Sequence, residues 1–318
     1  MSKAKVIFDT DAGTDDAWAL ITLLRCEEKY NIELKAITVV SGNTNVKHGC
    51  QNILLILKTM NRLDIPVYAG AADSLLFHSY FKHGHYHGMD GLKDVFRPEE
   101  KPSLDLVQKK HAIEGLRALI EENPNEITIF AVGPLTNIAL LYKMYPEIST
   151  KIKNLYIMGG NHQGIGNSSR TAEFNFHFDP ESARIVLDES KCSVLILPWE
   201  PCLKACFATP HKEWRFKVLN SINNEIIEFM DKIEIDVQFR KSFCPCDAYL
   251  VCCFIFPKMI KKVSEFNVNI ELSGEFTRGQ MVLDHKLLMK PNATIIEEFD
   301  VEMFKKILLW VCGHEIDI

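Results

Sequence analysis

Short apolar runs alternate with stretches of helical pattern from one end of this chain to the other. The apolar runs at residues 6–8, 36–40, 126–132, 155–158 and 194–197 are rich in Val, Ile and Phe and are bounded by turn residues. Without a polar residue at every second place, they read as strands buried on both faces of a sheet. Helical pattern fills 15–28, 46–60, 109–121, 135–143, 180–189 and 248–256. The rhythm predicts an α/β fold, an open and mainly parallel sheet with helices on both faces. No repeat, linker or low-complexity stretch interrupts it, so a single domain over residues 1–318 is expected. Two stretches, 71–103 and 159–171, carry few regular signals, and loops that long are usually functional or disordered. In an open α/β sheet the ligand crevice lies beyond the carboxyl ends of the strands.

Composition narrows the partners. A net charge of −6 with no long basic run argues against nucleic acid and against an anionic membrane surface. No apolar run reaches the length of a membrane span, and Met1-Ser2-Lys3-Ala4-Lys5 leads directly into a strand with no room for a signal peptide. A cytoplasmic location is the expectation. The ten cysteines include Cys202-x-x-x-Cys206, Cys244-Pro245-Cys246 and Cys252-Cys253, none with the paired spacing of a structural zinc site. Most of the others lie in apolar runs, where a thiol behaves as a small hydrophobe, and this points to a reducing compartment.

The strongest chemical signal follows the first strand: Asp9-Thr10-Asp11-Ala12-Gly13-Thr14-Asp15-Asp16. Asp15 and Asp16 alone would be explained by the dipole of the helix they open, worth roughly 0.3–1 kcal/mol each. Asp9 and Asp11 need a further reason, because like charges this close repel unless a cation joins them. Oxygen donors in this number suit Ca²⁺ or Mg²⁺. Gly13 is expected to let the backbone turn tightly enough for the carboxylates to converge.

Asp9-Thr10-Asp11 resembles the DxDx(T/V) pattern of haloacid-dehalogenase-type phosphatases, in which Asp9 would be the nucleophile of a Mg²⁺-dependent reaction. Gly13 breaks that pattern at its fifth place, and the pattern does not call for Asp15-Asp16. The full string DTDAGTDDAWAL resembles the N-terminal signature of the inosine–uridine preferring nucleoside hydrolases, usually DTDPGxDDA, with Ala12 in the place of Pro. Later segments are similar in the same order, so the resemblance covers nearly the whole chain. They are Asn43, Ala131-Val132-Gly133-Pro134-Leu135-Thr136-Asn137, Met158-Gly159-Gly160, Asn167 followed by Glu173-Phe174-Asn175, and Asp247.

The resemblance implies a Rossmann-like nucleoside hydrolase fold and a Ca²⁺-dependent cleavage of ribonucleosides to free base and ribose. It implies Ca²⁺ held by Asp11, Asp16, Asp247 and the Val132 carbonyl, with a metal-bound water attacking C1′ and Asp11 as general base. It assigns Asp15 and Asp247 to the ribose, Asn175 to the 3′-hydroxyl, Asn167 and Glu173 to the 5′ side, and Asn43 and Met158 to the pocket. Asp9 is left as support for the ligands, and Asn137 is left out of the site. It also implies a homodimer or homotetramer.

Leaving-group chemistry is where this chain departs from the family pattern. The family places a His immediately before the final aspartate, and here that residue is Cys246, as in a subset of the family. Cys246 is therefore a pocket residue, with two readings open: a proton donor or a small filler. In His83-Gly84-His85-Tyr86-His87-Gly88, His87 best matches a family His that contacts the nucleoside, while three alternating His would be the zinc alternative. Phe229, Phe239 and Phe243 are candidates for stacking on the base or for the core. A calcium-dependent nucleoside-binding protein without turnover is the reading outside enzymology, and Cys246 is its one hint.

Overall fold

The computed structural model describes residues 3–76, 85–209, 211–234 and 243–318. Its strands are β1 (Ala4–Thr10), β2 (Ile32–Val39), β3 (Val67–Ala69), β4 (Ile127–Ala131), β5 (Asn154–Met158), β6 (Ser193–Leu197), β7 (Ile260–Phe266), β8 (Val268–Ile270), β9 (Met281–Leu283) and β10 (Ala293–Phe299). The helices are α1 (Thr14–Cys26), α2 (Val46–Thr59), α3 (Ala112–Glu122), α4 (Thr136–Met144), α5 (Phe174–Phe178), α6 (Pro180–Glu189), α7 (Trp199–Ala208), α8 (Glu225–Ile233), α9 (Cys246–Ile255) and α10 (Val301–Val311).

Eight strands form one sheet in the order β3-β2-β1-β4-β5-β6-β10-β7, with β8 and β9 paired separately. Every pairing in the large sheet is parallel except β10 with β7, so the expected mainly parallel α/β sheet is what forms. The pleat sends Val6 and Phe8 of β1 into one core layer and Ile7 into the other. The first layer holds Leu20 of α1, Ile53 of α2, Leu250 of α9 and Phe304 of α10, and the second holds Leu116 of α3, Ile138 of α4 and Val186 of α6. Helices therefore cover both faces. The chain leaves β1 toward β2 on one side and returns to β4 on the other, and that reversal opens a crevice at the carboxyl end of β1.

α1 is also fastened to the segment that precedes α9. The Trp18 indole N–H donates to Glu234 Oε1 at 2.9 Å, and Glu234 Oε2 accepts from Arg215 Nε at 2.7 Å. Arg215 is fully buried, pairs with Asp231 as well, and lies over the Trp18 ring. Phe243 meets Trp18 edge to face. Among the described residues, no helix is long and apolar enough to cross a membrane.

Candidate active site

Beyond Thr10 the chain makes a turn in which Ala12, at φ 58°, takes the left-handed conformation. A proline is fixed near −65° and could not take it, so this turn is built differently from one carrying Pro. Gly13, expected to supply the turn, is extended at φ −82°. Its lack of a side chain serves proximity instead: a Cβ there would lie 2.6 Å from Asn43 Nδ2 and 3.1 Å from Asp16 Oδ2.

The four aspartates of the opening string occupy different surroundings. Asp9 is buried beneath the site, where Oδ1 accepts from the Thr38 hydroxyl and from Asn137 Nδ2 at 2.7 Å, while Oδ2 has no partner. Burial pushes its pKa up to about 7. Asn137 thus anchors an aspartate from the adjacent strand. Asp11 accepts from Asn43 twice, backbone N–H to Oδ2 at 2.7 Å and Nδ2 to Oδ1 at 3.0 Å. Asp16 accepts from the Thr10 hydroxyl and from Gly13 N–H at 2.8 Å. Asp15 stays partly open to the crevice, with Oδ1 unpartnered by any hydrogen bond.

α9 delivers the remaining carboxylate. Asp247, at its second position, is buried and places an oxygen within 4.8 Å of oxygens from Asp15 and Asp16. Burial first, and the neighbouring carboxylates second, push Asp15 up to about 8 and Asp247 well above the usual carboxylate range. Asp11 is raised for the same reasons, burial and then Asp16. Two buried carboxylates and a half-buried third, with an unpartnered oxygen among them, are suited to a hard divalent cation, which would let all three ionise together. The aspartate trio is the one group among the described residues that could hold an ion. His87 is outside it, while His83 and the His85 side chain lie outside the described residues.

Asp15 and Asp247 of this cluster line a cavity of about 320 Å³, at the small end of ligand sites. Every other pocket residue expected from the sequence lines it except Asp11 and Asp16, which lie beneath. Asn175 Nδ2 donates to the Val132 carbonyl at 2.9 Å and to the Met158 carbonyl at 3.0 Å, tying the ends of β4 and β5 together. Glu173 caps α5: Oε1 accepts from Asn175 N–H, and Oε2 from Gly160 and Phe176 N–H. Burial pushes Glu173 up to about 7. Asn167 accepts from Phe174 N–H at 2.8 Å.

Thr14 was not singled out in the sequence, yet it orients His87. Its backbone N–H lies 3.1 Å and its hydroxyl 2.8 Å from His87 Nδ1. A backbone N–H can only donate, so Nδ1 is the acceptor and the neutral ring carries its proton on Nε2, 3.7 Å from Asp15 Oδ1. Tyr86, Phe174, Trp199 and Cys244 complete the lining; Phe174 sits within the Glu173-Phe174-Asn175 motif, and no motif marks Tyr86 or Trp199. Phe229 and Phe243 belong to the core, stacked on Phe96 and wedged between Trp18 and Trp214 respectively. Phe239 lies outside the described residues.

The cysteines correct one expectation. Cys206 and Cys244, 38 residues apart, form a disulfide with Cα atoms 4.8 Å apart. The other eight are free thiols, most of them buried as expected. Cys246 is one of these, 3.8 Å from the Cys244 sulfur, and its bond with Cys202 together with burial holds its thiol well above the usual range.

A family model described as inosine-uridine preferring nucleoside hydrolase matches residues 6–306. The chain belongs to that family, and it is a hydrolase acting on N-glycosyl compounds. The pyrimidine-specific ribonucleoside hydrolase RihA of Citrobacter koseri is 34% identical over 310 residues, covering 95% of this chain and 96% of that one. The solved structure of an inosine-guanosine nucleoside hydrolase superposes with a TM-score of 0.88 at 31% identity, over 98% of this chain and 99% of the other. A purine-preferring ribonucleoside hydrolase from Gardnerella vaginalis shares the fold, with a TM-score of 0.84 at 23% identity and coverage of 97% and 98%.

Proposed function

We propose that the chain hydrolyses the N-glycosidic bond of ribonucleosides, releasing free base and ribose, with Ca²⁺ as its resident cation. The observation that carries this is the convergence of Asp15, Asp16 and Asp247 at a cavity of about 320 Å³ that Asp15 and Asp247 line. Asp16 and Asp247 belong both to this trio and to the ligand set implied by family resemblance, so they form the centre of the cation site, with Asp11 and the Val132 carbonyl beside them. When bound, the cation supplies charge that stabilises the ionised carboxylates and orients the sugar hydroxyls.

Asp11 is the general base in this reading. Its carboxylate is held in one orientation by the two Asn43 donors, and it takes the proton from the water that adds to C1′. The C1′–N bond breaks as the C1′–O bond forms, and the departing base acquires a proton. Cys246 keeps its proton at neutral pH and stands beside the place where the base leaves. His87 presents its Nε2–H to the cavity, Asp15 accepts from the ribose 2′-hydroxyl, and Asn175 faces the 3′-hydroxyl. Asn167 and Glu173 shape the 5′ end, Glu173 chiefly by fixing the turn at Gly160 and the start of α5.

The relatives are named for opposite base classes, so their names do not set the base preference of this chain. The same reading makes the protein a single catalytic domain and a cytoplasmic homo-oligomer of nucleoside salvage. Its test is release of reducing sugar from a panel of purine and pyrimidine ribonucleosides with calcium present. At least one is turned over, and Asp11→Ala nearly abolishes the release. Tight nucleoside binding without sugar release over hours would overturn hydrolysis in favour of a binding protein. Turnover of a phosphate ester that is lost in Asp9→Asn would instead point to phosphoryl transfer.

A further inference from the structure

Of the ten cysteines, Cys202 and Cys246 interact with each other, Cys192 is half-buried, and the other seven separate into two kinds. Cys26, Cys50, Cys252, Cys253 and Cys312 are buried in the core, where loss of solvent raises their thiols and leaves them unreactive. Cys206 and Cys244 are bonded to each other across two separate segments, and Cys244 lines the cavity. Cys244 is half-buried in that lining whereas Cys206 is 2% exposed, so Cys244 is the member of the pair that a small molecule entering the pocket would meet. Their Cα separation of 4.8 Å is within the ordinary span of a disulfide, so the bond closes without backbone movement.

The bond also has a mechanical position. Cys206 lies in the last turn of α7, the helix whose first residue is the pocket-lining Trp199. Cys244 leads into α9, which carries Cys246 and Asp247. Phe243 N–H donates to the Thr209 carbonyl at 3.1 Å beside it, so one hydrogen bond and one covalent bond close the chain between 209 and 243 into a loop. Opening the covalent link leaves one wall of the cavity held by far weaker contacts.

We propose that Cys206 and Cys244 form a reversible thiol–disulfide site in the wall of the pocket, reduced and oxidised by low-molecular-weight thiols and disulfides, and shielded by a bound nucleoside. A small thiolate attacks the Cys244 sulfur, the Cys206–Cys244 bond breaks, and Cys206 departs as a thiolate that takes a proton. A second small thiolate attacks the outer sulfur of the mixed disulfide and releases Cys244, which is protonated in turn. The protein disulfide and two small thiols thus become the protein dithiol and one small disulfide, and a small disulfide drives the reverse. The reduced wall is looser, so KM for the nucleoside rises roughly three- to tenfold while kcat changes little.

The shielding and the change in KM rest on the cavity being the nucleoside site. The experiment equilibrates the full-length, calcium-loaded protein in glutathione/glutathione-disulfide mixtures, alkylates the free thiols and maps the peptides, with and without inosine or uridine. A 206–244 link that forms as the mixture becomes oxidising, and whose reduction a nucleoside slows, is expected. Cys206→Ser then has the reduced KM in every mixture, while Cys202→Ala still responds. Absence of the linked peptide at the most oxidising ratio overturns the proposal, as does a linked form with the same KM as the reduced one. A link shielded by a nucleoside that is never hydrolysed keeps the redox site and overturns hydrolysis.

Discussion

The two sides of the cavity are built in different ways. The residues proposed for the ion and the sugar are carboxylates and amides from the turn after β1 and the starts of α1, α5 and α9, and several are held by backbone N–H groups: Asp11 by Asn43, Asp16 by Gly13, Glu173 by three donors. Tyr86, Phe174, Trp199 and Cys244, from loops and helix termini, complete the cavity with rings and a sulfur. Backbone donors hold this first set in fixed orientations, which would suit recognition of an invariant ribose. The second set can change without disturbing the sheet, and the base is the part of a nucleoside that varies.

If that division is right, damage to the sugar side strikes every substrate alike. Asp247→Ala is expected to remove calcium binding in titration calorimetry and to lower kcat/KM by about 10³-fold or more for every nucleoside turned over. A variant that keeps calcium affinity would break the assignment of Asp247 to the ion. Asn175→Ala is expected to cost about 10- to 100-fold, again without regard to the base. Because Asn175 also joins the Val132 and Met158 carbonyls, it should lower the melting temperature as well. Trp199→Ala is the contrasting case: the ratio of kcat/KM between a purine and a pyrimidine nucleoside should shift by about tenfold, with calcium affinity unchanged. An equal loss for both bases would put Trp199 on the sugar side.

A smaller effect concerns pH. Asp9 and Glu173 are both raised to about 7 in the fold, above their unfolded values, so the neutral forms favour the folded state. Their contribution is full below the unfolded pKa near 4 and is lost as pH rises through about 7. Asp15, raised to about 8, extends the loss. Calcium-free protein should therefore melt at a lower temperature at pH 8 than at pH 6, and the upward shift on adding calcium should be larger at pH 8. A calcium shift independent of pH would mean that these carboxylates are already ionised without the ion.

The same contrast explains what could be read in advance. β1, β2, β4, β5 and β6 announce themselves because burial on both faces forces unbroken apolar runs. β3 has three residues, too few for any pattern, and β7, at the edge of the sheet, keeps most of its side chains half-buried or exposed. The aspartate string and the EFN segment were legible because one short stretch of chain carries several site atoms. The Thr14–His87 contact spans 73 residues and the Cys206–Cys244 bond 38, so each exists only once the chain has folded. Gly13 was expected to make the turn; Ala12 supplies that backbone angle instead, while Gly13 matters for its lack of a side chain, which no sequence pattern announced.

The buried Trp18–Glu234–Arg215 bridge has a consequence for how the ion is felt at a distance. Trp18 is two residues beyond Asp16 on α1, and Glu234 follows α8, upstream of Asp247. A cation on Asp16 and Asp247 would tie α1 to α9 while the bridge ties α1 to Glu234, so the two clasps share α1 and would reinforce each other. Calcium should slow amide hydrogen exchange along α8, and Trp18→Phe should weaken calcium by the free energy with which calcium strengthens the Trp18–Glu234 contact.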